Sequence, residues 1–240
     1  LERSPKARAY LEQRGILPAT AERFGLGYAP PEWQALSAVF PHYGEPLLEK
    51  AGLVIANPDS GKRYDRFRER IMFPIRNTKG QVIGFGGRVI GKGEPKYLNS
   101  PETPVFIKGH ELYGLYEARK HNRDLDEIMV VEGYMDVIAL VRAGVEGAVA
   151  PLGTAITEDQ LRLMWRVSPE PVIALDGDAA GLRAAMERDD RVLLMGEDIG
   201  RLGGVFRVTD ARELAFEVDV DRSGQVSGDR LHEPGMGVTG

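Results

Sequence analysis

From residue 128 the chain alternates short apolar runs with helix-patterned stretches, and two of those runs end on acids. "MVVEGYMD" leaves its apolar run at Glu132 and Gly133; "PVIALDGDAAG" leaves its own at Asp176, Gly177 and Asp178. Runs this short, rich in Val and Ile, suit buried strands better than helices. The spacing predicts strands over 128–132, 147–151 and 171–175, with helices over 136–143, 157–167 and 179–188. Thr157, followed by Glu158 and Asp159, is a fitting N-cap with acids in the first turn. Such alternation builds a parallel sheet covered by helices. Ligands of these sheets sit at the carboxyl ends of the strands, and Glu132, Asp176 and Asp178 all fall there.

Three carboxylates converging on one sheet edge repel one another unless a cation sits among them. Mg²⁺ (or Mn²⁺) suits them: it takes oxygen ligands, keeps several waters and bridges to phosphates. Gly133 and Gly177 leave room for a nucleotide to approach the backbone. Each motif alone has an ordinary explanation, since Asp-Gly is a common turn and a strand-end Glu accepts backbone N–H groups. Two such motifs at one predicted edge favour the metal site.

The N-terminal part has a different, α+β pattern. Residues 4–15 carry helical spacing ended by Gly15, a short helix follows in "LPATAERF", and another is predicted from Pro31. "RERIMFPIRNTKGQVIGFGGRVI" reads as two strands joined by a turn at Asn77–Gly80. "GKGEPKYLNSPETPVF" reads as a surface loop and "LYEARKHNR" as a helix. Arg66, Arg68 and Arg70 alternate along "DRFRER"; on a strand they share one face, as phosphate contacts or as partners for acids. "GFGGR" lacks the spacing of a dinucleotide fingerprint.

Charge is unevenly spread. Residues 62–108 hold 11 Lys/Arg against 4 Asp/Glu, whereas residues 187–240 hold 7 against 12. A basic strip on an otherwise balanced body is a candidate phosphate-binding face, or simply a solvated surface. No cysteine is present, which excludes a disulfide framework and a thiolate zinc site within these residues. The opening residues hold no apolar signal-peptide core, and a cytoplasmic location is expected.

"VVEGYMDVIAL", "LGTAIT" and "DGDAAGLRAA" together resemble the Toprim module of bacterial-type DNA primases. "YDRFRERIMFPI", "GFGGRV", "PKYLNSPET" and "LYGLYEAR" resemble the same family's catalytic core, in the same order, over about residues 1–186. The resemblance implies template-directed synthesis of short RNA primers on single-stranded DNA from ribonucleoside triphosphates, with Mg²⁺. It makes Glu132 a metal ligand or general base, and Asp176 and Asp178 a metal-binding pair. It assigns Arg88, Lys96, Tyr97, Asn99 and Lys108 to template or nucleotide contact, a role in which Arg66 is a further candidate.

The expected organisation is a primase-type N-terminal subdomain over 1–117, a Toprim-like subdomain over 118–186, and an acidic, Gly-rich end over 187–240. The family's zinc-binding and helicase-interacting domains fall outside these residues, so the replicative helicase is a partner of the full-length family. The family's third acidic motif is not evident after Asp178. Residues 186–210 instead resemble the start of a 2-oxoacid dehydrogenase E1 β subunit, which predicts a sheet truncated after its third Toprim strand and an end of other origin. Two further readings stay open: a single-stranded DNA-binding fragment without catalysis, and a Toprim enzyme of topoisomerase or nuclease type.

Overall fold

A computed structural model describes residues 1, 4–153, 156–176, 192–194, 203–208, 219–220 and 226–227. Helices α1 (Pro5–Gln13) and α2 (Pro18–Arg23) lead into strand β1 (Gly27–Ala29), helix α3 (Pro46–Lys50), and strands β2 (Val54–Ala56) and β3 (Arg63–Asp65). Strands β4 (Arg70–Arg76), β5 (Val82–Val89), β6 (Tyr97–Asn99) and β7 (Leu112–Tyr113) follow, then helix α4 (Leu115–His121). The alternating part comprises β8 (Met129–Val130), α5 (Tyr134–Arg142), β9 (Ala148–Pro151), α6 (Glu158–Trp165) and β10 (Val172–Asp176). Strands β11 (Val192–Leu194), β12 (Gly203–Val208), β13 (Asp219–Val220) and β14 (Val226–Ser227) complete the described elements.

Local chemistry explains the first helix. Ser4 accepts from the Ala7 N–H and Pro5 occupies the first turn, where its missing N–H costs nothing. Gly15 then ends it in the left-handed region at φ +69°. The N-terminal sheet is antiparallel in the order β1-β4-β5-β6. Its buried face (Ile71, Phe73, Ile75) joins Leu11, Phe24 and Tyr113 in one core with Tyr134, Val137, Ile138 and Val141 of α5. The two halves of the chain therefore share a hydrophobic core through α5.

The second sheet has the order β11-β12-β10-β8-β9-β7. Strands β10, β8 and β9 run parallel, as the alternation predicts. A second core fills the space under α6, where Leu161 and Met164 pack with Val130, Val149 and Ile173. Thr157 and Gln160 form a reciprocal capping box at the start of α6. The predicted helix over 179–188 lies outside the described residues.

Four expectations are corrected. The sheet does not stop at its third parallel strand, because β12 pairs antiparallel with β10 and β11 pairs with β12. No α-helix starts at Pro31: only a 3-10 turn forms over Ala35–Ala38. Its neighbourhood bonds to β3 instead, with the Leu36 N–H donating to Asp65 Oδ2 at 2.9 Å and the Asp65 N–H to the Trp33 carbonyl at 2.8 Å. The "PKYLNSP" stretch is not wholly loop, because Tyr97–Asn99 pair with Gly86–Arg88 as an edge strand; flanking prolines hide so short a strand from pattern reading.

Arg66, Arg68 and Arg70 do not share a strand face. Residues 66–69 form a bend between β3 and β4, with Glu69 at φ +51°. Arg66 is half-buried, Arg68 stacks on the Trp33 and Tyr64 rings at 4.2 and 5.1 Å, and Arg70 is buried against the Gly87 carbonyl. No described helix is long and apolar enough to cross a membrane.

Candidate active site and nucleic-acid groove

Glu132 follows the end of β8 and is exposed, beside the Gly133 that caps α5. Asp176 is the last residue of β10. The parallel pairing sets Val172 against Met129 and Ile173 against Val130. Continued by two residues, that register brings Glu132 level with Leu175, one place before Asp176. Both acids thus finish neighbouring strands at the carboxyl edge of the sheet. Asp178 lies outside the described residues. Among the described residues no three acidic or histidine side chains gather round one point.

Strands β5 and β6 carry Arg88, Tyr97 and Asn99 of the predicted strip. Arg88 on β5 is buried, its guanidinium donates to the Tyr97 hydroxyl, and it lies 5.0 Å from the Tyr97 ring centroid and 5.8 Å from that of Tyr10. Arg88 and Lys96 line a groove of about 1020 Å³ whose other charged lining residues are Lys6, Arg14, Lys92 and Glu94. Five cations against one carboxylate make it a focus of positive potential. Tyr97 is 37% exposed. Burial pushes its phenol above the ordinary value, with the Arg88 cation opposing.

The remaining strip residues are placed differently. Asn99 accepts from the Tyr134 hydroxyl at 2.8 Å and donates to the Leu152 carbonyl at 3.1 Å. Lys108 opens a 3-10 turn that is clamped to α6, since Gln160 donates to its carbonyl at 3.1 Å and to that of Glu111 at 2.9 Å. Arg66 lies outside the groove lining, and burial lowers its pKa.

The sequence reading missed Lys6, Tyr10 and Arg14. A signal was present: they sit four residues apart along α1 and its C-cap, the spacing that puts side chains on one helix face. Tyr134 was also missed. Its ring stacks on Phe73 at 5.1 Å, meets Tyr113 edge-on at 4.6 Å, and lies 6.4 Å from Tyr97. Burial raises its phenol pKa, so Tyr134 meets Asn99 as a neutral donor.

Two family models match the chain. Residues 1–119 match the DNA primase catalytic core N-terminal domain, and residues 126–202 match the Toprim domain. The chain belongs to the DNA primase catalytic-core family. DNA primase of Pseudomonas putida is 59% identical over 181 residues, covering 73% of this chain and 27% of the relative. DNA primase of Escherichia coli K12 is 50% identical over 213 residues, covering 88% of this chain and 34% of the relative. The chain thus spans about a quarter to a third of the length of these curated relatives.

Among solved structures, the E. coli primase catalytic core superposes with a TM-score of 0.70 at 48% identity, covering 78% of this chain and 61% of that one. A DnaG primase catalytic domain bound to single-stranded DNA gives a TM-score of 0.69 at 47% identity, covering 78% and 59%. The Toprim match runs to residue 202 and the E. coli match spans 213 residues. They cover much of 186–210, and the comparisons lend no support to a dehydrogenase subunit there.

Proposed function

We propose that this chain carries out template-directed synthesis of short RNA primers on single-stranded DNA, joining ribonucleoside triphosphates. The observation that carries the reading is adjacency. Arg88 of the cationic groove lies over the exposed Tyr97 ring, Tyr97 lies 6.4 Å from Tyr134, and Tyr134 is two residues past Glu132 at the strand end. A family member whose structure holds single-stranded DNA supports the template assignment.

In this reading Arg88, Lys96 and the lysines of the groove neutralise template or nucleotide phosphates. Tyr97 stacks an unpaired base, with its ring oriented by Arg88. Arg66 and Lys108 contribute charge farther along the strip. Glu132 holds a metal ligand position or takes the proton of the attacking hydroxyl. Glu132, Asp176 and Asp178 are oxygen donors, a set that fits Mg²⁺ or Mn²⁺ and lacks the thiolates zinc prefers. Such an ion supplies positive charge to the phosphoryl oxygens when bound. The domain division at about 117, the cytoplasmic location and the helicase partnership of the full-length protein belong to the same proposal.

The test is incorporation of labelled ribonucleotides on a defined single-stranded template in Mg²⁺. Products complementary to the template support the reading. Tight DNA binding with no incorporation would reduce the chain to a binding fragment.

A further inference from the structure

The geometry points to Tyr10 as a positioning residue, whose ring holds the guanidinium groups of Arg14 and Arg88 together as one site for phosphate in the groove. The inference rests on the reading of that groove as a phosphate-binding face.

Five cations line the groove against one carboxylate, and like charges so gathered push apart. Long arginine side chains also lose rotamer freedom when they are fixed. Something must hold two guanidinium groups in place before a phosphate arrives. The Arg14 guanidinium carbon lies 5.6 Å from the centre of the Tyr10 ring, and that of Arg88 lies 5.8 Å from the same centre. Both stand at the range where the face of an aromatic ring attracts a cation. One ring on α1 therefore serves an arginine of its own helix end and an arginine of β5.

The ring is itself fixed from beneath. Ala7 and Leu11 of α1 are buried in the core, and Tyr10 packs against that core. Arg88 is held from its other side by Tyr97, 5.0 Å from the ring centre and donating to the hydroxyl. The Tyr10 hydroxyl plays a different part from that of Tyr97. Its oxygen is buried and has no hydrogen-bond partner among the described residues. The ring face, and not the hydroxyl, is then what acts on the arginines.

A pair of guanidinium forks suits phosphate oxygens, each fork offering two parallel N–H donors. A DNA strand and a ribonucleoside triphosphate both carry that group, so two ligands are tested. Binding of a labelled single strand is read by fluorescence anisotropy, and binding of GTP by calorimetry. Tyr10→Phe is expected to bind both within about twofold of the parent, because the cation–π contact survives. Pentafluorophenylalanine placed at position 10 keeps the ring but withdraws charge from its face. It is expected to weaken binding about three- to tenfold, the scale of a lost cation–π contact. A loss confined to the single strand assigns the arginine pair to the template. A loss confined to GTP assigns it to the nucleotide, and a loss for both assigns it to both. A second measure needs no fluorinated residue: the loss caused by Arg14→Gln is expected to be smaller in a Tyr10→Leu background than in the parent, because the two residues act together.

Three results overturn the inference. The first is a fluorinated variant that matches Tyr10→Phe for both ligands. The second is a Tyr10→Phe loss as large as that of the fluorinated variant, which marks the hydroxyl as the working group. The third is strict additivity of Tyr10→Leu and Arg14→Gln. A parent that binds neither ligand overturns the groove reading and this inference together. A parent that binds but makes no primer overturns the primer-synthesis reading alone, since every measurement here is an equilibrium one.

Discussion

Gly86 and Tyr134 occupy one space: the ring of the second sits where a side chain of the first would stand, and a Cβ on Gly86 would lie only 2.5 Å from Tyr134 Cζ. The contact joins the N-terminal sheet to the first turn of α5. Gly86→Ala must therefore displace a ring that also stacks on Phe73. Overpacking of this kind costs about 1–3 kcal/mol. Urea unfolding of the purified variant is expected to show that loss, with the slope unchanged.

Glu117 on α4 is buried and pairs with Arg76 on β4 at 2.6 Å, while Arg76 also donates to the Phe24 carbonyl at 3.3 Å. Removing the carboxylate leaves a mostly buried guanidinium without its counter-charge. Glu117→Ala is expected to cost about 3 kcal/mol, the lower end for breaking a buried pair because Arg76 keeps some solvent contact. Chemical denaturation measures it, and Arg76→Met with Glu117→Leu should recover much of the loss.

Glu146 precedes β9 and accepts two hydrogen bonds from Arg23 on α2. Those bonds hold its carboxyl below the ordinary value of 4.5. A carboxyl depressed in the folded state binds protons more readily when unfolded, so its stabilising contribution is complete above about pH 4.5 and is lost as pH falls through the folded value. The melting temperature of Glu146→Gln is therefore expected to lie below the parent's at pH 7. The gap should close as pH falls below the ordinary carboxyl value of 4.5 and through the lower folded value, and a gap constant with pH would contradict the assignment.

The split between what sequence did and did not disclose follows from range. The parallel strands, α5, α6 and the Thr157 cap rest on contacts within a few residues, and periodicity reads those directly. Charge and motif single out Arg88, Lys96 and Tyr97, and the fold sets Arg88 and Lys96 in one groove with Tyr97 against Arg88. The motif singles out Asn99, but its partners Tyr134 and Leu152 lie 35 and 53 residues away in the chain, beyond any local pattern. The bend at 66–69 was misread because alternating arginines imitate a strand, while the backbone there bonds to Leu53 and Pro30. Strand β6 was hidden by its length and its flanking prolines.

Lys96 is exposed and lines the groove. Lys96→Ala is expected to weaken single-strand binding and to flatten its salt dependence. Each lost phosphate contact lowers the slope of log affinity against log salt by about 0.7 for single strands. Titration of a labelled oligonucleotide between about 50 and 200 mM salt reads the change, and an unaltered slope would remove Lys96 from the contact set.

The most direct measurement compares the parent with Glu132→Gln for primer synthesis in Mg²⁺ and for single-strand affinity on the same preparations. The account predicts a fall in kcat of about a hundredfold or more, the scale of a lost general base, with affinity unchanged. Equal rates in the two proteins would contradict the claim that this strand end is where the chemistry happens.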